Sequence, residues 1–406
     1  MQVVIFMNRK RIIIFFILYL LFGISVNIVH PVTTTYVKNL NLPDAYFGFF
    51  SSLMSLGQVV GAIFFGYLSD KIGRKWLVCI GLVGYAFSQL GFGFLNSIPL
   101  IILLFRFLGG FFISAPSTLF VSLCIDYSDT SKKVRNLSIA TSCYILGTSF
   151  GYEIGGALYN YLDFSISQVF IFQICFTIIT SLLFGLFIKD VYKNKLELSN
   201  SDNHNKNKYN INNKTIGGLV YLLLFSLMVL TVGQILINKY LDTYIIHIGY
   251  EPSTLGHYVL ITGILSAISN ILVIPFIKKI KSNKLAYCLT IFIFLSAILT
   301  FITFLVKINI LYLLFSTHVI YIIIKGLITP LEQNELSTYI NDSNNGKITG
   351  ARQTILSIGN VLGPLIGSAV YVSGSPFIFI VGAIIILISL VMYISYFAIK
   401  KKKHYV

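Results

Sequence analysis

The sequence predicts an all-α polytopic membrane protein: twelve transmembrane helices arranged as two six-helix halves, with both termini in the cytoplasm. Three observations carry that expectation. Of the 406 residues, 56% are hydrophobic and only 11% charged, against roughly 25% charged in a soluble domain. The apolar residues fall into runs long enough to cross a bilayer, which takes about 20 residues each. The cations are sorted by side. Of 30 Lys and Arg, 25 lie in segments that alternate onto one face of the spans, while Lys38 and Lys307 lie on the other and Arg106, Lys239 and Lys325 lie within spans. Loops rich in Lys and Arg stay cytoplasmic. The net charge of +16 is therefore a property of loops. No basic helix or aromatic-interleaved basic patch occurs outside them, so nucleic acid is not an expected partner.

In chain order the spans are expected at 12–36, 46–69, 76–95, 99–125, 136–161, 166–188, 216–246, 254–277, 283–306, 309–340, 350–372 and 376–399. Arg9-Lys10-Arg11 followed by the apolar run Ile12 to Val29 imitates a signal peptide. The run is too long for such a segment and no small-x-small cleavage site follows it, so it reads as an uncleaved first span; Met7 is an alternative start. Residues 189–215 hold eight Asn and six Lys with no Gly or Pro. Such a stretch buries too little apolar surface to fold and reads as a cytoplasmic polar linker between an N-terminal half (1–188) and a C-terminal half (216–406). Internal repetition supports the division. Gly147 to Leu158 aligns without gaps to Gly359 to Val370, with five of twelve positions identical, three of them glycines. The five cysteines (Cys79, Cys124, Cys143, Cys175, Cys288) all sit in apolar runs without a Cys-x-x-Cys pair; they read as core residues, and no metal site is expected.

Between the second and third spans runs Gly66-Tyr-Leu-Ser-Asp70-Lys-Ile-Gly73-Arg74-Lys75, a short cationic loop with a single acid. The pattern Gly-x-x-x-Asp-Lys-x-Gly-Arg-Lys resembles the signature loop of the major facilitator superfamily of transporters. That resemblance implies two six-helix halves related by repetition and transport by alternating access. It also implies a cytoplasmic latch in which Asp70 caps the start of the eleventh helix near Gly350, where the helix dipole is positive. In the same latch Arg74 pairs with Asp126 at the end of the fourth helix, and Arg135 opens the fifth. The corresponding loop of the second half, Ile277 to Lys284, keeps its cations and has neither the Asp nor the Gly, so the latch is expected on one side only.

Glycines at i, i+4 and i+8 lie on one helix face and let backbones approach. Gly147, Gly151 and Gly155 do so on the fifth span, and Gly359, Gly363 and Gly367 on the eleventh. Both stretches resemble the Gly-x-x-x-Gly-Pro-x-x-Gly-Gly motif of proton-coupled antiporters. Tyr152 replaces the proline in the first; the second has Pro364 but Ser368 in place of the last glycine. The likeness points to the twelve-helix drug/proton antiporter branch.

Ionisable residues inside spans are costly and mark candidate pathways. Arg106-Phe-Leu-Gly109-Gly110 resembles the family's Arg-x-x-x-Gly motif, which implies a role in proton transfer; snorkelling to the outer surface is the other reading, and Glu153 is the acid expected as its partner. Glu153 is the acid set deep in the N-terminal half. Apolar surroundings favour the protonated carboxyl, as a proton carrier requires; a residue at the outer rim is the alternative. His318 either titrates or stands as a hydrogen-bonded wall residue. Lys325 neutralises an anionic substrate, pairs with Glu332 or Glu335, or snorkels. His30-Pro31 resembles the place where related exporters kink the first helix over the cavity. The 25 Tyr and 34 Phe supply aromatic surface for amphipathic substrates.

The expected function is secondary active transport, with the proton gradient as energy source, no cofactor and no enzymatic chemistry. Export of small amphipathic drugs or metabolites by proton antiport is the first reading. Proton-coupled import of a carboxylate or sugar is the alternative. An enzyme would need clustered His, Asp or Glu at a membrane face, and a self-contained ATP-driven pump a Gly-x-x-x-x-Gly-Lys-Ser/Thr loop; the sequence has neither. Substrate, protons and lipid are the expected partners, and the protein is expected to be a monomer. The richness in Ile, Lys, Asn and Tyr suits a bacterial cytoplasmic membrane.

Overall fold

The computed structural model of the protein describes residues 9–43, 45–95, 98–128, 133–188, 217–277, 282–306, 308–339 and 345–404; the linker expected over 189–215 lies outside them. Every regular element among the described residues is helical. In order these are α1 (Arg9–Asn27), α2 (His30–Asn39), α3 (Ala45–Ile72), α4 (Lys75–Phe94), α5 (Pro99–Asp126), α6 (Lys133–Asn160) and α7 (Ile166–Phe187). After the linker come α8 (Gly218–His247), α9 (Pro252–Ile277), α10 (Ser282–Leu305), α11 (Ile310–Leu313), α12 (Val319–Ser337), α13 (Asn345–Val370) and α14 (Phe377–His404).

The first expected span is broken into α1 and α2. Pro31 has no N–H to give, and its ring would strike the carbonyl four residues back, that of Asn27. The chain answers with a tight turn in which Val32 N donates to Val29 O at 3.1 Å. Asn27 Nδ2 donates to Gly23 O at 2.9 Å, satisfying a carbonyl near the helix end. The tenth expected span is likewise not uniform, since α11 passes through a π-helical turn, Leu314–His318, into α12. Local signals start the other helices. A capping box at α7 has Gln168 N donating to Ser165 Oγ and Ser165 N donating to Gln168 Oε1, and Pro99 and Pro252 stand where a missing N–H costs nothing.

Counting α1 with α2, and α11 with α12, eleven helices among the described residues are long and apolar enough to cross a membrane. The twelfth expected span is α6. Its 28 residues reach about 42 Å at 1.5 Å each, so length is not what it lacks. It falls short in apolarity because glycine, Ser, Thr and Glu153 occupy positions that the other spans give to Leu and Ile.

The chain gathers into two compact units. The first comprises described residues of 1–42, 53–208 and 251–267, and the second those of 43–52, 209–250 and 268–406. In the first, Phe120 of α5 stacks on Tyr19 (4.6 Å) and Phe22 (5.2 Å) of α1, and Tyr144 of α6 closes on the same two rings at 5.3 and 5.4 Å. Such pairs add roughly 0.5–1.5 kcal/mol each beyond their buried area. In the second unit, Gly233 of α8 and Gly382 of α14 let the two backbones meet, each glycine lying close to the other's carbonyl. Phe304 of α10 and Phe379 of α14 stack at 3.7 Å beside them.

Candidate transport site

The loop between α3 and α4 is built as a tight reversal. Gly73 has φ +91°, the left-handed region that a side chain would strain, and its N–H donates to Ser69 O at 3.2 Å. Ser69 Oγ donates to Gly66 O at 2.8 Å. Arg74 then turns to α5, where its Nη1 donates to the carboxylate of Asp126, both side chains largely buried. Lys71 and Lys75 lie over the rings of Tyr67 and Trp76 at 4.3 and 5.0 Å. Arg135 is exposed at the start of α6. Asp70 stands in the last turn of α3; its side chain lies outside those described.

Arg106 and Glu153 are not brought together. Arg106 is buried on α5 with its guanidinium 3.7 Å above the ring of Phe92 and Nη1 3.9 Å from the sulfur of Met54. Phe92 is itself fixed by Tyr36, whose hydroxyl donates to Phe92 O at 2.6 Å. Glu153 instead meets α9, where His257 Nδ1 lies 2.9 Å from its carboxylate. The Glu153 side chain is 23% exposed and that of His257 45%. On the other side of the ring, His257 Nε2 is 3.0 Å from the hydroxyl of Tyr161, just past the end of α6. The expectation that Glu153 partners Arg106 is thus corrected. Spacing along each helix gave similar depths for the two residues; it carried no information about which way each faces. The sequence reading passed over His257 and Tyr161. The available signal was Gly256 and Gly263, seven residues apart on α9, which lie against Tyr152–Glu153 and Ser149 of α6.

The glycine face of α6 lies on α1 and α2. A methyl group on Gly147, Gly151 or Gly155 would meet the carbonyl oxygen of Leu20, Ile24 or Ile28, respectively. His30, at the head of α2, stacks on Tyr152 at 5.4 Å. In the second unit, Gly359, Gly363 and Gly367 of α13 face Thr231, Ile235 and Tyr240 of α8. Pro364 removes one backbone hydrogen bond from α13, and its own carbonyl accepts from Tyr240 Oη at 2.8 Å.

His318 closes the π-helical turn, fully buried, stacked on Tyr321 at 4.9 Å and edge-on to Phe304 at 5.8 Å. Asn238 Nδ2 of α8 donates to the hydroxyl of Tyr321 at 3.4 Å. Lys325 is about two turns further along, on α12, within electrostatic reach of both His318 and Lys239. Its two candidate acids are engaged elsewhere. Glu332 accepts from Arg352 Nη2 at 2.9 Å and Nε at 3.3 Å, and Glu335 accepts from Lys400 Nζ and Tyr396 Oη. Pairing of Lys325 with either acid is therefore replaced by ion pairs that tie α12 to α13 and α14.

Comparison with known proteins bears on what this arrangement is for. The family model described as "Major Facilitator Superfamily" matches residues 15–324. The quinolone resistance protein NorA of Staphylococcus aureus is 28% identical over 149 residues. That match spans 36% of this chain and 38% of NorA, well under half of that relative's length. Multidrug resistance protein 2 of Bacillus subtilis is 22% identical over 366 residues, 86% of this chain and 85% of the relative. Among solved structures, a bacterial homologue of the human lysosomal transporter Spinster superposes with a TM-score of 0.73 at 14% identity, covering 95% of this chain and 96% of that one; at that identity it shows a shared fold. With the family model covering most of the chain and the all-helical fold in agreement, the protein belongs to the major facilitator superfamily.

Proposed function

We propose that this transporter exports small amphipathic compounds, drugs or metabolites, in exchange for protons, as a monomer in a bacterial cytoplasmic membrane with both termini inside. The observation that carries the reading is Glu153. It is a carboxylate within a membrane-length helix, on the same helix as three glycines pressed to the neighbouring backbone, partly open to solvent and hydrogen-bonded to an imidazole. A carboxylate so placed can exchange a proton and signal the exchange to its helix. The drug-resistance relatives support export. In this reading the Gly66–Lys75 loop, with Arg74 on Asp126, is the cytoplasmic latch.

The test is dye transport in proteoliposomes with an imposed pH gradient, using a panel of hydrophobic fluorescent dyes. Wild-type protein is expected to concentrate dye against its gradient only while the proton gradient lasts. Glu153→Gln is expected to cut the coupled rate about a hundredfold or more, the range of a lost acid–base group, and to leave dye binding intact. Dye movement indifferent to the gradient in wild-type protein overturns the proposal. A second reading, uptake or export of an anionic metabolite, has one observation in its favour: Lys325 and Lys239 bring two cations within electrostatic reach of each other in the second unit. Inhibition of dye transport by small carboxylates, lost in Lys325→Gln, selects that reading.

A further inference from the structure

α6 and α9 lie on either side of the polar linker in sequence and touch along their length. Ser142 Oγ donates to Ala267 O at 3.5 Å, Gly263 packs on Ser149, and Gly256 on Tyr152 and Glu153. Asn160 Oδ1 accepts from Ser253 N at 3.0 Å, capping the first turn of α9. All of these contacts are short polar links or glycine appositions. Glu153 to His257 is the link within this seam whose strength depends on protonation.

The chain of atoms runs from the Glu153 carboxylate to His257 Nδ1 at 2.9 Å, then from Nε2 to the Tyr161 hydroxyl at 3.0 Å. The carboxylate accepts from Nδ1–H whether the imidazole is neutral or charged. The tyrosine hydroxyl is both donor and acceptor, so it donates to Nε2 of the neutral ring and accepts from Nε2–H of the cation. Both ring nitrogens keep their partners in either state. A proton can therefore be added at His257 without breaking a hydrogen bond, and its arrival converts the hydrogen bond between a neutral ring and a carboxylate into an ion pair. The other titratable groups toward this end of the packed elements are Tyr152 and Tyr159 on α6, His30 of α2 stacked on Tyr152, Glu251 and Tyr258 at the head of α9, and Asp163 beyond α6, with Arg135, Cys143 and Tyr144 further back on α6. The His257 side chain is 45% exposed, in the second turn of α9 at its expected external end.

We propose that Glu153, His257 and Tyr161 form a proton-loading clasp between α6 and α9, with His257 as the residue that takes up the proton. Loading tightens the seam at the expected external end of both helices; unloading frees α6 and α9 to part. This rests on the proton-exchange reading of Glu153 and adds its proton-binding partner and the helix pair on which it acts.

The test is hydrogen–deuterium exchange of the full-length protein in lipid nanodiscs, corrected for the intrinsic pH dependence of exchange. Peptides spanning 147–160 and 252–262 are expected to exchange about tenfold more slowly near pH ~5.5 than near pH ~8.5. His257→Gln and Glu153→Gln are each expected to abolish that difference, and Tyr161→Phe to reduce it. His257→Lys, which carries its charge at both pH values, is expected to give slow exchange at both. Equal exchange at the two pH values in wild-type protein, or a pH effect unchanged in both glutamine variants, overturns the clasp. Such a result with gradient-driven dye export intact would leave the antiport reading standing, so the two fail separately.

Discussion

α6 and α13 carry the same glycine spacing and use it differently. On α6 the three glycines face main chain, the carbonyls of Leu20, Ile24 and Ile28. On α13 they face side chains, Thr231, Ile235 and the ring of Tyr240. The remaining ties follow the same division. α13 is fastened by side chains, through Arg352 on Glu332 and Tyr240 on the Pro364 carbonyl, whereas the position of α6 at the repeat offset of Arg352 is the buried Ala140. A glycine row thus has two uses. Against main chain it fixes the distance between two backbones, which cannot yield. Against side chains it leaves room for groups that can rotate.

The comparison breaks first at Arg352. Arg352→Ala gives α13 the residue that α6 has at this position, and it leaves Glu332, whose side chain is 1% exposed, without its cation. Breaking a buried pair from one side costs about 3–5 kcal/mol. Thermal unfolding of the purified protein in detergent is expected to fall by roughly 5–10 °C, at the few degrees per kcal/mol of a large domain. Adding Glu332→Gln is expected to recover part of the loss, because the uncompensated charge goes with it. If Arg352→Ala unfolds like wild-type protein, side-chain fastening of α13 is not what holds it.

Next comes Gly155→Ala. The added methyl group meets the Ile28 carbonyl and, at 3.0 Å, Pro31 Cγ. Ile28 lies in the turn between α1 and α2 and Pro31 in the first turn of α2, where the proline ring stiffens the backbone. Neither can rotate away, so the cost is expected near about 3 kcal/mol, the upper part of the overpacking range. It should appear as reduced folded yield and a lower unfolding temperature. Normal stability would mean that the α6–α1 approach is looser than main-chain contact requires.

The parts legible in the sequence were those set by one helix at a time. Apolar run length placed each span to within a few residues. Pro31 marked the break in the first span and Gly73 the reversal after α3. The Arg74–Asp126 contact was also named from the sequence, by way of the family's loop. The partners of buried charges were not legible. Arg106 sits on an aromatic face because α5 packs against α4, and Glu153 looks the other way, to a histidine that follows the linker by more than 30 residues. Pairing with one of two acids on its own helix was one of three readings of Lys325, but Arg352 and Lys400 reach those acids from α13 and α14. Position along a helix gives depth, and only the neighbouring helix decides the direction in which a side chain finds its partner. His257 had no motif around it; its glycine neighbours matter only once α6 is known to lie against them.

The smallest effect tests the comparison most sharply. Gly359→Ala places its methyl group 3.0 Å from Thr231 Cγ2 and 3.5 Å from the Met228 carbonyl. Thr231 Oγ1 donates to Leu227 O at 2.8 Å, so the methyl end of that side chain can shift by a few tenths of an ångström while the hydroxyl holds its bond. Alanine also favours the helix over glycine by about 1 kcal/mol, which offsets the crowding. The net change in stability is expected within about 0.5 kcal/mol of zero, in the range of a tolerated substitution. Because the same replacement at Gly155 is expected to cost several times more, measuring the two together separates main-chain contact from side-chain contact. Equal losses at both sites would show that the repeat packs alike in the two units and that the difference between α6 and α13 has no energetic weight.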